Sequence, residues 1–362
     1  MTLLKKTGLA LVTGTLLLAT HAHAKTVCVF SLVGAQGDLW AMMTDYRIAA
    51  ASEGEQLDLR VFTDERVAAE DLKAGLCDGL LMTGIKARQF VPFSGSIDSI
   101  GGLHSYDALR AVIALTSHPQ LSEQMQSGVY AIAGILPLGA AYLFMKDRTL
   151  TSVDKIAGKR MAVFDNDRAQ ILMCERLGIK PELSDVTNFS TKFNNNMVDL
   201  IAAPATAYMP LELYRGVGAH GMVVKLPSAQ LTLQLVVRQE KFSESFLHWS
   251  RDYFSGQFDR AMQVITAAES EILFFYPPPD ADRPQYQEMM NDARLALIEE
   301  GVYDTQMMAW LKKARCKVSP MRPECSNGGR TDDNITTRHA CPACGACHTA
   351  RGRHAAANTA AV

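Results

Sequence analysis

The residues whose spacing alone points to chemistry stand near the carboxyl end, in "HACPACGACHTARGRH", His339 to His354. Cys344-Gly-Ala-Cys347-His348 has the C-x-x-C-H form of covalent haem attachment, in which two thiols add to the vinyl groups and the neighbouring imidazole ligates iron. A haem also needs an apolar pocket. Only "TARGRHAAANTAAV" follows His348, without apolar periodicity and without a methionine to complete an axial pair, so no haem site is expected. Cys341, Cys344, Cys347 and His348 could hold zinc, but ordinary zinc sites separate two ligand pairs by a dozen residues or more. From about Met321 the composition turns to Asn, Gly, Thr, Asp, Arg and Ala. Such a stretch cannot offset its ordering entropy by burial, and residues 327–362 are expected to be a disordered tail.

Elsewhere the chain shows no Gly-x-Ser-x-Gly elbow, phosphate loop, dinucleotide fingerprint or His-Glu-x-x-His. His104, His118, His220 and His248 have no partner at a fixed spacing. No catalytic residue, metal or cofactor is therefore expected. What recurs is a polar or small residue where a strand ends. Gln36 and Asp38 follow the first strand, Thr83, Lys86 and Arg88 follow "GLLM", Asp165 and Arg168 follow "MAVF", and Pro204 and Tyr208 follow "DLIAA". In open α/β sheets ligands bind beyond the carboxyl ends of the strands. Two such edges facing each other make a cleft for a small polar solute.

Two runs of alternating strands and helices must position these residues. The first holds strand "TVCVFSLV", turn "GAQGD", a helix ending near Gly54, strand "LDLRVF", the acid-led helix "DERVAAEDLKAG" and the buried strand "CDGLLMTG". A helical stretch from about Tyr106 to Gln126 completes it, and "YAIAGILPLGAAYLFM", punctuated by Pro137 and Gly139, leads out. Strand "RMAVF", helix "DRAQILMCERLG", a loop, strand "VDLIAAP" and another helix restart the pattern. The chain returns through "GMVVKLPSAQLTLQLVVRQEKF", whose second half alternates as a strand does. The reading is α/β, with largely parallel sheets in two lobes: residues 25–128 completed by about 228–242, and residues 129–227. Past Phe242 a helix of more than about 30 residues, ended by Pro277 to Pro279, precedes two further helices, so that residues 243–326 form a helical unit.

With 362 residues, 48% hydrophobic content and a net charge of −2, the chain can fill two lobes and has no basic excess to attract nucleic acid. Its start joins Lys5 and Lys6 to an apolar run from Leu9 to Ala19 and to Ala22-His23-Ala24, the form of a secretory signal peptide cut near Ala24. No later stretch reaches the roughly 18 apolar residues of a membrane span. Export to the periplasm makes disulfides durable. Cys28 on the first strand and Cys77 before a neighbouring one are within reach of each other, and Cys316 and Cys325 flank a proline-containing loop. Cys174 is left as a buried thiol.

At these residues the chain resembles the substrate-binding proteins of tripartite ATP-independent periplasmic (TRAP) transporters, and more closely a family of solute-binding proteins related to them. The stretches that carry the resemblance are "CVFSLVGAQGD", "DERVAAEDLKAGLCDG", "TGIKARQFVPFSGSIDSIGG", "LPLGAAYLFMKDR", "NFSTKFNNNMVDLIAAPATAYMPLELYRG" and "FSGQFDRAMQVI". It implies a two-lobed periplasmic-binding-protein fold of type II, TRAP-like, with a hinge, a long helix bracing both lobes and C-terminal helices. It covers about Lys25 to Ser326. In TRAP binding proteins an arginine in the strand that here reads "GKRMAVF" holds the substrate carboxylate, and Ala162 stands in its place. Arg88 or Arg168 is then the candidate substitute, the alternative being a ligand that is not an acid, and Ser94 and Asn188 complete the expected ligand-binding set. The function implied is a monomeric periplasmic receptor that closes on a small polar solute, such as an organic acid, and delivers it to inner-membrane permease subunits. The alternative is an accessory subunit of an envelope efflux or stress system that uses the same fold without a small ligand.

Overall fold

The computed structural model describes residues 24–325 except Asn166 and Arg322. Residues 1–23 of the expected leader and the tail holding Cys341, Cys344, Cys347 and His348 lie outside the described residues. Strand β1 (Lys25–Phe30) leads through α1 (Gly37–Ser52) to β2 (Leu57–Phe62), and α2 (Glu65–Lys73) returns the chain to β3 (Gly79–Thr83). All pairings among the three are parallel, in the order β2-β1-β3. Val27 to Phe30 are buried without interruption, as a strand covered on both faces by crossover helices must be. Asp64 starts α2 by accepting the Arg66 and Val67 amides. Cys28 and Cys77 form the expected disulfide, with Cα atoms 5.8 Å apart.

Two short helices follow, α3 (Gly84–Ala87) and α4 (Pro92–Gly95), and then α5 (Tyr106–Thr116), capped by the Ser105 hydroxyl. Helix α5 stops well before the expected Gln126, because Pro119 holds His118 in extended backbone (φ −66°, ψ 135°). Strand β4 (Gln126–Ser127) turns into β5 (Tyr130–Met145), and beyond α6 (Val153–Ile156) the second lobe builds β6 (Arg160–Phe164), α7 (Arg168–Leu177) and β7 (Lys180–Ser184). Helix α8 (Phe189–Asn194), β8 (Leu200–Pro204) and α9 (Leu213–Val217) precede the long β9 (Met222–Arg238). Strands β8, β6 and β7 pair in parallel. Strand β7 corrects the sequence reading, which took "KPELS" for a loop. All of it but Ser184 is exposed and Pro181 interrupts it, so it has the composition of an edge strand and no hydrophobic pattern to announce it.

Strands β5 and β9 run antiparallel through both lobes. Strand β9 joins the first lobe by pairing Leu233 to Val237 with β3, and β5 joins the second by pairing Ala141 to Met145 with β8. Along the pair the register shifts at Ile132/Gly134, at Pro137/Gly139 (between these segments) and at Ala141/Leu143. Gly139 has φ +117°, which a side chain would strain. The sheet order β2-β1-β3-β9-β5-β8-β6-β7 is thus parallel at its ends and antiparallel in its middle, so the largely parallel sheet expected holds only for the outer strands.

The helix expected past Phe242 runs as α10 (Glu244–Gly256) and α11 (Phe258–Ser270), which meet at Gln257 directly after a glycine, a poor helix former. Glu269 of α11 accepts the hydroxyls of Tyr106 (2.6 Å) and Tyr142 (2.8 Å), and the Tyr106 oxygen accepts the Ala140 amide (3.0 Å). One carboxylate thereby ties the start of α5 to the stretch of β5 where the register shifts. After the short β10 (Phe275–Tyr276), α12 (Arg283–Glu299) and α13 (Thr305–Val318) add Leu297, Ile298, Met307 and Leu311 to the core around Leu80 and Met82. The Cys316–Cys325 disulfide, with Cα atoms 5.5 Å apart, closes the described chain.

Candidate ligand-binding cleft

The strand ends of the two lobes converge on one cavity of about 530 Å³, reached by Phe30 of β1, Thr83 of β3, Phe164 of β6 and Pro204 of β8. Its floor is the crossing pair, through Leu138 of β5 and Leu231 of β9. Tyr286, Met289 and Met290 of α12 wall one side. The volume lies within the range of small-molecule sites, roughly 300–1,000 Å³.

Arg88 directly follows α3 and is half-buried at this cavity. Its Nε donates to the Gly95 carbonyl (3.2 Å), and its guanidinium lies 4.8 Å from the centre of the Tyr303 ring. Among the described residues no hydrogen bond or ion pair engages its two terminal nitrogens. Beneath it a buried polar network fixes the segment "SGSID". The Ser94 hydroxyl donates to the Val91 carbonyl (3.2 Å), and the Ser94 carbonyl accepts Gln234 Nε2 (3.0 Å). Gln234 also donates to Thr232 Oγ1 (3.0 Å), while the Thr232 hydroxyl (2.6 Å) and amide (2.9 Å) both donate to Asp98. Gly84 is required here, since a Cβ would lie 2.4 Å from Thr232 Oγ1 and 2.5 Å from both Asp98 oxygens.

Burial pushes the Asp98 carboxyl up to about 7, against the pull of its Thr232 hydrogen bonds and of Arg88. Glu65 lines the same cavity and is likewise pushed up to about 7 by burial, opposed by the Thr83 amide it accepts (2.5 Å). Asp167, from the other lobe, is spent on capping α7 through the Ala169 (3.0 Å) and Gln170 (3.4 Å) amides. Asp185 is held below the usual carboxylate range by Thr187, with Arg66 of the opposite lobe adding to the effect.

Of the residues expected to bind ligand, the structure brings Gln36, Asp38, Arg88, Asp165 and Pro204 to the cavity. Four stand elsewhere. Ser94 is fully buried beneath Arg88, as described. Arg168 turns to α12, pairing with Glu300 through Nε (2.8 Å) and Nη2 (3.1 Å) and with Glu175 (3.2 Å). Asn188 accepts the Asp185 amide (3.1 Å) and organises the turn before α8. Tyr208 is buried, its ring against Phe144 (6.1 Å) and Tyr214 (6.2 Å), because the helical turn Ala205–Ala207 carries it past the strand end into the second lobe's core. Ala162 is buried in the same core with Phe189 and Ile201.

Sequence reasoning missed Glu65, Asp98, Thr232, Gln234 and Tyr303. One signal was available. In "AQLTLQLVV" the polar residues Gln230, Thr232 and Gln234 alternate with leucines, which in a strand puts three polar side chains on one face, and all three are buried. Buried polar side chains at period two call for partners, and Thr232 and Gln234 find theirs in the network beneath Arg88.

Residues 42–330 match the family model described as solute-binding protein AdeT 1/2. The chain is 38% identical over 300 residues to the protein named probable solute-binding protein AdeT1 of Acinetobacter baumannii, covering 82% of this chain and 99% of that one. Against the probable solute-binding protein AdeT2 of the same organism it is 23% identical over 233 residues, 64% of this chain and 98% of the other. In structure it is similar to a TRAP periplasmic solute-binding protein of Desulfovibrio salexigens with bound orotic acid, with TM-score 0.67, 14% identity and coverage of 82% of this chain and 99% of that one. A TRAP protein of Chromohalobacter salexigens with bound D-glucuronate gives TM-score 0.64 at 12% identity, covering 81% and 99%. One of Ralstonia eutropha with bound (S)-2-acetolactate gives 0.65 at 13%, covering 81% and 98%. These structures share the two-lobed fold, and the relatives are solute-binding proteins rather than enzymes.

Proposed function

We propose that this chain, which belongs to the solute-binding protein AdeT 1/2 family, is a monomeric periplasmic receptor that captures a small solute between its lobes and delivers it to a TRAP-like inner-membrane permease. The observation that carries the reading is the cavity itself, walled by the strand ends of both lobes and floored by the two strands whose register shifts between them. A ligand shifts such a pair of lobes toward closure only through contacts that it gains with the second lobe. Arg88 is the anchor in this reading. Orotic acid, glucuronate and acetolactate, bound in the fold neighbours, are organic acids, and a planar guanidinium with two uncommitted nitrogens recognises a carboxylate. It takes over from the first lobe the role that Ala162 cannot fill in the second. No helix of the described residues is long and apolar enough to cross a membrane.

The test is thermal stabilisation across a panel of acids, amino acids, sugars and amines. A receptor in ligand at 100 times its dissociation constant gains about 2.7 kcal/mol. With the ligand found, Arg88→Ala is expected to weaken binding by at least about 2 kcal/mol, the scale for deleting one partner of a desolvated charged pair. Its unliganded melting temperature should stay close to that of the native chain. Equal losses of stability and affinity would make Arg88 a structural residue, and a panel without any stabilising solute would favour the accessory-subunit function.

A further inference from the structure

The polar groups that line the cleft are mostly committed to the protein. Asp98 is bound to Thr232 and Glu65 to the Thr83 amide. Ser228 donates its hydroxyl proton to the Ala141 carbonyl (3.0 Å) and Thr206 its own to Leu138 (3.2 Å). Gln170 accepts the Phe164 amide (3.4 Å). A hydroxyl-rich ligand enclosed here would exchange water for few free donors, and each hydroxyl left uncompensated costs free energy. Between these points the wall is apolar, formed by Leu143, Met161, Met173, Val224, Leu226 and Met290. Two half-buried cations at the cavity are the contrast: among the described residues no hydrogen bond or ion pair engages the terminal nitrogens of Arg88 or the ammonium of Lys86, and of the two only Arg88 offers a planar fork.

We infer that the cleft takes amphiphilic monoanions, an aliphatic or aromatic body carrying one carboxylate, in preference to hydroxyl-rich sugar acids. The inference rests on the receptor function proposed above and on Arg88 as its anchor. The carboxylate meets the guanidinium fork, and the body displaces water from the methionine and leucine wall. Asp38 and Asp165 also line the cavity, but both are exposed, where solvent and salt screen them from the ligand. Asp98 and Glu65, raised by burial, carry less than full negative charge near neutral pH.

Isothermal titration of the mature chain with hexanoate, octanoate, octylammonium and glucuronate, all below micellar concentration, separates the possibilities. Octanoate is expected to saturate one site, with affinity rising about fourfold per methylene from hexanoate, the factor that corresponds to about 0.8 kcal/mol per buried methylene. Arg88→Gln should weaken octanoate at least tenfold. Met173→Gln, which keeps side-chain length but removes apolar surface from the wall, should weaken it severalfold at an unchanged melting temperature. Glucuronate binding as tightly as octanoate would overturn the inference and leave the receptor function standing. Octylammonium binding more tightly than octanoate would overturn the anionic head group, and affinity independent of chain length would overturn the apolar seat for the body. If none of the four binds, the amphiphile class is wrong. The receptor function then fails too, unless some other solute of the wider panel stabilises the chain.

Discussion

Removing the charge of Glu324 should cost substantial stability. Glu324 sits beside Cys325 and faces two buried arginines, with Oε2 2.9 Å from Nη2 of Arg294 and 2.9 Å from Nη2 of Arg315, and Oε1 3.0 Å from Nε of Arg315. The side chains of Arg294 and Arg315 are 2% and 0% exposed, and that of Glu324 is 11% exposed. The arginines reach on to the carbonyls of Gly101 (2.9 Å) and Gly102 (2.8 Å), and the Gly101 amide in turn donates to Ser228 (2.7 Å) in the crossing strand β9. Breaking a buried pair by deleting one partner costs about 3–5 kcal/mol, because it leaves uncompensated charge behind. Glu324→Gln keeps the shape and one acceptor, so about 3 kcal/mol is expected, near the lower bound. For a chain this size that is a fall in melting temperature of roughly 4–5 °C. The Cys316→Ser, Cys325→Ser double variant releases the loop that carries Glu324, and loop closure alone is worth roughly 2.5–3 kcal/mol. Combined with Glu324→Gln the losses should fall short of additive, since both remove one anchor. Differential scanning calorimetry decides the matter. A Glu324→Gln melting temperature within about 1 °C of the native value would show that the arginines are solvated or otherwise neutralised, and strict additivity would show that the disulfide does not position Glu324.

Three further outcomes are expected. Glu65 holds its proton in the fold up to about pH 7, while an unfolded glutamate releases it near 4.3, so its contribution to stability falls as pH rises between those values. Glu65→Gln, which keeps an acceptor for the Thr83 amide, should flatten that slope in urea titrations and raise stability at pH 8 by up to roughly 3 kcal/mol; an unchanged pH profile would mean that Glu65 is ionised in the fold. Gly84→Ala forces a Cβ into the Asp98–Thr232 pair and should cost about 3 kcal/mol, read as a lower urea midpoint, and native-like stability would refute the close packing. The Cys174 thiol is buried and pushed up to about 12 by that burial, so mass mapping after iodoacetamide at pH 8 should find the Cys174 peptide unmodified in the native chain and alkylated after denaturation.

The lobes were legible because strands buried on both faces and helices with one apolar stripe leave opposite periodicities, and "CVF", "GLLMT" and "MAVF" carry the first of these in plain form. The disulfide of Cys28 with Cys77 was legible for a related reason, since parallel neighbours must lie close. Strand β7 was not, because an exposed edge strand needs no apolar side and "KPELS" has none. The site was harder to read. Position after a strand end places a residue near the cleft without fixing its direction. Asp165 and Pro204 line the cavity, whereas one helical turn more buries Tyr208 and Glu300, just past the end of α12, draws Arg168 away. The buried network of Asp98, Thr232 and Gln234 joins residues more than a hundred positions apart in the chain, a distance over which no local pattern operates.

In the proposed reading the cation comes from the first lobe, and this changes what drives closure. With Ala162 sealed in an apolar core, the second lobe offers the ligand Leu143, Met161, Phe164, Val224 and Leu226, together with exposed Asp165. If Arg88 binds the head group, the open first lobe already supplies the charged contact, and that contact is common to both states. A contact common to both states shifts no equilibrium. The differential contacts that close the lobes are then those of an apolar body with the second lobe's wall. Closure driven in this way carries the negative heat-capacity change of apolar burial and weakens on cooling, whereas a guanidinium clamp contributed by the second lobe would draw its free energy from a charged pair and lose it to salt. On the proposed reading, the second lobe, with no cation to offer the ligand at position 162, closes on it through apolar surface.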